Sequence, residues 1–164
     1  MAEGDQDLLV LARDVGERLN QRGIMLAAAE SCTGGWISKV ITDVPGSSQW
    51  FERGFVVYSN AAKMEMLGVS PRTLEEHGAV SKQAAVEMAR GAVAHRKAKV
   101  SVAVTGVAGP DGGTPEKPVG LVWLAWYRNG GTLATYEGRF QGGREAVRRQ
   151  AVVAALQGLI EFLS

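Results

Sequence analysis

Apolar residues recur at helical spacing near the start of the chain: Leu8, Leu9, Leu11, Ala12, Val15 and Leu19, with Gly23 as a stop. The spacing predicts a helix over Asp5–Arg22. The period then changes. Residues 24–30 are short, apolar and bounded by Gly23 and by the polar turn Ser31-Cys32-Thr33-Gly34-Gly35. They read as a buried strand, although three consecutive alanines are weak strand formers. Trp36-Ile37-Ser38-Lys39-Val40-Ile41 is amphipathic, so a second helix is expected over 33–42, and Pro45-Gly46 then breaks the pattern.

A second strand is read at 55–58, Phe-Val-Val-Tyr. Ser59-Asn60 caps a helix carrying Lys63, Met64, Met66 and Leu67, which Gly68 ends. Ser70-Pro71 opens a short helical turn, with proline at its first position. Ser81 caps a longer helix rich in alanine (Ala84, Ala85, Met88, Ala92, Val93). Residues 100–105 alternate and are β-branched, a third strand. The stretch 106–120 holds five glycines and three prolines, and a loop of that length is usually functional. Strands at 121–127 and 132–140 flank the hairpin turn Asn129-Gly130-Gly131. A last helix covers 144–163. The element order is α-β-α-β-α-α-β-β-β-α. Strands linked by helices should be parallel, and the hairpin forces one strand against the rest. The expected fold class is α/β, a three-layer α/β/α sandwich on a mixed, mostly parallel five-stranded sheet, with 1–164 as one domain.

Composition narrows the partners. A net charge of +1 supplies no field that would recruit nucleic acid or acidic lipid. The single cysteine, Cys32, allows no internal disulfide, so a reducing cytoplasm is the simplest compartment. No apolar run reaches the roughly 18–20 residues of a membrane span, and the acidic start, residues 1–7, is unlike a signal peptide.

Ligands in open α/β sheets bind at the carboxyl ends of strands. The turn at 31–35 sits at such an end and sets Ser31, Cys32 and Thr33 beside a helix N-terminus. Two readings fit it: an ordinary capped strand-to-helix connection, or a chemical centre. Familiar signatures are absent. Gly106 to Gly113 is followed by no Gly-Lys-Ser/Thr and opens no helix. There is no Gly-x-Ser-x-Gly elbow and no Ser-x-x-Lys. His77 and His95, the only histidines, read as structural or solvated, and no metal-ligand spacing emerges. A serine nucleophile would then need another activator, and a lysine of lowered pKa can serve. Lys63 lies one helical turn past Tyr58, at the carboxyl end of the second strand. If the first two strands are neighbours, Ser31, Tyr58 and Lys63 meet at one sheet edge, and Tyr58 could relay a proton or orient the lysine. A solvated surface lysine fits the spacing too. The glycines of 106–120 could bring backbone N–H groups close to an anion, or merely form turns. Arg144 and Arg148 share a helix face and could hold a phosphate, or form a solvated basic face with Arg149. Cys32 ranks below Ser31 as nucleophile, since a residue between strand and helix can as easily point inward.

Several of these segments, taken in order, resemble the CinA C-terminal domain family: Ala29-Glu30-Ser31-Cys32-Thr33-Gly34-Gly35, Thr42-Asp43-Val44-Pro45-Gly46-Ser47-Ser48, Tyr58-Ser59-Asn60 with Lys63, His77-Gly78-Ala79-Val80-Ser81, Val104-Thr105-Gly106, Ala108-Gly109-Pro110 and 113–120. The resemblance covers nearly the whole chain. It implies hydrolysis of the carboxamide of nicotinamide mononucleotide, giving nicotinate mononucleotide and ammonia, in pyridine-nucleotide salvage. It implies Ser31 as nucleophile, with Tyr58 and a buried, neutral Lys63 as its activating partners. Substrate contacts are then expected from Thr33, Gly34, Gly35, Thr105, Gly106, Gly112 and Gly113, and a phosphate contact from Arg148. No cofactor or metal is called for. Cytoplasmic location follows, and the apolar 121–127 strand with the alanine-rich helices suggests a homodimer. Trp36 departs from the smaller aliphatic residue expected behind the turn. The chain resembles the stand-alone form, without the amino-terminal domain of longer CinA proteins. The rival reading is a non-catalytic nucleotide-binding module on the same fold.

Overall fold

The computed structural model describes residues 4–164; residues 1–3 of the acidic start lie outside them. Its elements are α1 (Asp5–Arg22), β1 (Leu26–Glu30), α2 (Trp36–Thr42), a 3-10 turn (Ser47–Gln49), β2 (Phe51–Val56), α3 (Asn60–Leu67), α4 (Pro71–His77), α5 (Lys82–Val93), β3 (Val100–Gly106), β4 (Leu121–Arg128), β5 (Leu133–Arg139) and α6 (Arg144–Phe162). The sheet order is β2-β1-β3-β4-β5. β1 runs parallel to both β2 and β3, and β4 is antiparallel to both β3 and β5. β4 is therefore the one strand that opposes the others, as the hairpin requires.

Alternation along β1 divides the core. Leu26 and Ala28 face α1, α2 and α6, packed with Val102, Val104, Leu124, Ile37 and Leu156. Ala27 and Ala29 face α5, packed with Ala85, Met88, Ala89 and Ala92. All five β1 residues are fully buried. The alanines that are weak strand formers in isolation fit here because β1 is covered on both faces. Small side chains let the alanine-rich α5 lie close to the sheet. The same closeness recurs between helices: a Cβ on Gly91 of α5 would stand 1.9 Å from the Leu67 carbonyl oxygen at the end of α3.

Three expectations change. β2 starts at Phe51 and ends before Tyr58, rather than covering 55–58. It is an edge strand whose Glu52, Arg53 and Gly54 give no apolar signal, and polar edges are how sheets avoid further pairing. Glu52 instead accepts the Ala98 N–H at 2.8 Å. The turn at Ser70-Pro71 is a full helix, α4, capped by Ser70 and burying no residue completely, so its periodicity is faint. The count is six α-helices among the described residues, not five. Finally, the apolar run of β4 is core: Leu121, Val122, Leu124, Ala125 and Trp126 are all buried. Trp123 and Tyr127 are half-buried against the α5 side, so packing within the chain accounts for the run and it does not by itself argue for a homodimer.

Candidate active site

β1 ends in Glu30, and Ser31 follows at the carboxyl edge of the sheet. The Ser31 N–H donates to the Val104 carbonyl of β3 at 3.0 Å, which fixes the first residue of the turn. Gly34 and Gly35 then take φ +61° and +100°, the left-handed region that glycine adopts without strain. The helix therefore starts at Trp36, later than the spacing suggested.

Lys63 comes from α3, whose N-terminus Ser59 caps by accepting the Ala62 N–H. Its side chain is 1% exposed. Nζ donates to Ser31 Oγ at 3.0 Å, to the Val57 carbonyl at 3.0 Å and to the Tyr58 carbonyl at 3.2 Å. No carboxylate among the described residues bonds to it. Burial pushes the Lys63 ammonium down from its ordinary value, and only a charged Cys32 would oppose this. Burial pushes the Cys32 thiol up to about 12, so near neutrality that opposing charge is not there. A thiol so held is also a poor nucleophile. Ser31 and Lys63 are left as a directly hydrogen-bonded hydroxyl and amine in a buried setting.

Tyr58 enters differently from the expectation. Its carbonyl orients Lys63, while its phenol is exposed (62%) and accepts from the Arg144 guanidinium at 3.0 Å. A proton relay through the hydroxyl is not what this arrangement holds. Arg144 also donates to the Gly109 carbonyl at 2.7 Å. β1 lies between β2 and β3. A side chain that joins Tyr58, past the end of β2, to Gly109, past the end of β3, crosses the end of β1 where Ser31 stands.

The glycine turn is less open to a ligand than its composition suggests. Glu30 is fully buried and accepts from the N–H groups of Ile37 and Ser38, both at 2.9 Å, and from the hydroxyls of Thr33 (2.6 Å) and Ser38 (2.8 Å). The N-terminus of α2, expected to face the substrate, is thus filled by the chain's own carboxylate. Thr33 spends its hydroxyl on Glu30, and the Gly34 N–H on the Ser31 carbonyl. Arg148 donates to the carbonyls of Cys32 (3.0 Å) and Thr33 (3.2 Å), so it braces the turn. Trp36 stacks against Arg148 and Arg149, which gives this unexpected residue its place. Thr105 is buried and ties the end of β3 to the Ala79 carbonyl at 2.8 Å. Gly106 lies against β4, where a Cβ would stand 2.7 Å from Val122. Gly112 and Gly113 belong to an exposed loop folded onto Val119, and no hydrogen bond joins them to Ser31 or Lys63.

Glu30 is what a reading of spacing misses; spacing marks Arg144 as a phosphate candidate, but not as the link between Tyr58 and Gly109. Glu30 had a signal: a carboxylate ending an otherwise apolar strand must find donors, and a helix begun by Gly35 has no side-chain cap of its own. A groove of about 710 Å³ lies elsewhere, between β5 and α6, lined by Trp126, Tyr136, Phe140 and Val153. Neither Ser31 nor Lys63 borders it, so the chemistry and not the cavity locates the site. Among the described residues, no group of three or more His, Cys, Asp or Glu is placed to hold a metal, and no helix is long and apolar enough to cross a membrane.

The family model for the CinA C-terminal domain matches residues 9–163. The chain belongs to the CinA C-terminal domain family. Among CinA relatives, it is 54% identical over 155 residues to nicotinamide-nucleotide amidohydrolase PncC of Escherichia coli (strain K12), covering 94% of each chain. It is 52% identical to the protein of the same name from Pseudomonas putida, over 94% of this chain and 96% of that one. The crystal structure of the competence/damage inducible protein CihA from Agrobacterium tumefaciens superposes with a TM-score of 0.94. It is 45% identical and covers 100% of this chain and 99% of that one. The three-layer arrangement is thus that of a solved CinA protein.

Proposed function

We propose that the protein hydrolyses the carboxamide of nicotinamide mononucleotide to nicotinate mononucleotide and ammonia, as a step of pyridine-nucleotide salvage. The observation that carries this reading is the 3.0 Å contact between Lys63 Nζ and Ser31 Oγ in a buried setting where no carboxylate among the described residues bonds to the lysine. The names of the relatives at 52–54% identity support the substrate.

The reaction runs through an acyl-enzyme. Ser31 Oγ bonds to the carboxamide carbon and its proton passes to Lys63 Nζ. The tetrahedral oxyanion needs donors that are not already taken. The N–H groups of Thr33 and Gly35 keep no partner among the described residues, whereas that of Cys32 is turned on its own sulfur. Lys63 returns the proton to the departing nitrogen, the C–N bond breaks and ammonia leaves. Water then adds to the ester and gives its proton to Lys63. As the adduct collapses, the bond to Oγ breaks and Lys63 returns that proton to Ser31, freeing the nicotinate carboxyl and restoring the neutral amine.

The nucleotide's phosphate calls for cations whose charge is not cancelled. Arg149 is paired with Asp5 at 3.1 Å and Glu145 at 3.6 Å. Arg144 and Arg148, by contrast, hydrogen-bond among the described residues to carbonyls and a phenol. Arg144, reaching over the end of β1, joins Arg148 as a phosphate contact in this reading. Ammonia release from nicotinamide mononucleotide by purified protein tests the proposal, with Ser31→Ala beside it. Release by the wild type and none by Ser31→Ala is the expected result. Near-normal turnover by Ser31→Ala would remove Ser31 as nucleophile. Tight nucleotide binding without turnover by the wild type would favour the non-catalytic module.

A further inference from the structure

We infer that Glu30 is a positioning residue for Ser31: its buried carboxylate caps α2 from the end of β1 and so fixes the turn that carries the nucleophile. The inference rests on the amide-hydrolysis reading and adds a residue to it.

A helix leaves its first N–H groups without intrahelical partners, and a side chain at the N-cap commonly takes the second or third of them. Gly35, the N-cap of α2, has no side chain to offer. Glu30 takes the N–H groups of the second and third residues, Ile37 and Ser38, from five residues upstream of that cap. The carboxylate and the helix start therefore close a ring around residues 31–35. The Thr33 and Ser38 hydroxyls complete its coordination, so a fully buried charge has four donors.

The rest of the turn is held from the opposite side. Arg148 takes the carbonyls of Cys32 and Thr33, and Val104 takes the Ser31 N–H. Donors at the helix end go to an anion and acceptors in the turn go to a cation. Among the described residues, the serine side chain, bonded to Lys63, and the N–H groups of Thr33 and Gly35 are left for chemistry. The neighbouring strand is shaped around the same ring. A Cβ on Gly54 of β2 would stand 2.3 Å from Ser38 Oγ, so the absence of a side chain there leaves the Ser38–Glu30 bond its room. Glu30 makes no hydrogen bond to Lys63. Its effect is on where Ser31 sits, not on the proton acceptor.

Glu30→Gln keeps the volume but sets an amide N–H₂ against one of the two backbone N–H groups. A nucleophile displaced by about 1 Å loses on the order of 100-fold in rate. In ammonia-release assays on nicotinamide mononucleotide, Glu30→Gln should lose about that factor in kcat, with KM within about threefold of wild type, because the carboxylate serves the reacting geometry rather than binding. A folded Glu30→Gln enzyme with wild-type kcat, or one whose loss lies in KM alone, overturns the inference. Should Glu30→Gln not fold, Thr33→Val and Ser38→Ala each remove one hydroxyl partner and keep both backbone bonds. Each should lower kcat severalfold at constant KM, and wild-type kcat in both also overturns it. An inactive wild type would instead bring down the amide-hydrolysis reading itself, so the two failures are told apart.

Discussion

Exchanging Lys63 for methionine is expected to lower kcat by roughly 10²- to 10⁴-fold, the usual contribution of a positioned proton acceptor. Lys63→Arg should be as poor, since a guanidinium stays protonated and cannot accept from Ser31. Methionine keeps most of the buried volume, so loss of activity with a cooperative melt would isolate chemistry from folding. The pH dependence follows from burial, which pushes the Lys63 ammonium below its ordinary 10.5. In the proposed mechanism the free amine is the active form. In the wild type, kcat/KM should then rise with pH through the folded-state value and level off before a free lysine would. Stability runs in the same direction. The unfolded chain holds the Lys63 proton more tightly, so the burial penalty is full below the folded-state value and is lifted as pH rises towards 10.5. Melts across that window should climb less steeply in Lys63→Met. A kcat/KM profile that ignores pH across it, or an active Lys63→Arg, would dismiss Lys63 as the base.

The largest structural effect is expected at Gly91. A methyl group there would stand 1.9 Å from the Leu67 carbonyl oxygen, 2.7 Å from its carbon and 3.0 Å from its Cα. These are backbone atoms and cannot turn aside, so α5 and α3 must separate. Overpacking of this kind costs about 1–3 kcal/mol, which for a chain of this size lowers Tm by roughly 2–12 °C. Gly91→Ala should show that loss and Gly91→Val more. Activity should fall with it, because α3 carries Lys63 four residues before Leu67. Gly131→Ala is the control, since nothing lies within 4 Å of its Cβ. Equal melting of Gly91→Ala and the control would mean that α3 yields freely, and that its position does not depend on this contact.

What could be read in advance follows from how local its cause is. β3 and the β4–β5 hairpin were legible because apolar alternation and the Asn129-Gly130-Gly131 turn are written in consecutive residues. β1 was legible despite its alanines because Gly23 and the glycine turn bound it. The polar half of β2 and the thinly buried α4 were not, since burial is what imprints periodicity and neither has enough. In the site, Ser31 and Lys63 could be brought together by adjacency of two strands alone. The direction of Tyr58 could not. Whether its carbonyl or its phenol meets Lys63 depends on where β2 stops, and the edge strand concealed that. Arg148 was legible as a cation near the site, but not as the brace of Cys32 and Thr33, because which carbonyls a turn presents depends on φ values that composition does not state. Arg144 bridges segments 86 and 35 residues away.

The buried Cys32 has a consequence for handling the protein. It is the chain's single sulfhydryl, and its thiolate form is scarce until strongly alkaline pH. Maleimides and peroxide act on thiolates, so they find almost nothing to attack in the folded state. A cysteine introduced at an exposed position such as Val10 or Met66 would become the one reactive handle. A fluorophore or a surface tether could be attached there without first removing a residue from the neighbourhood of Ser31.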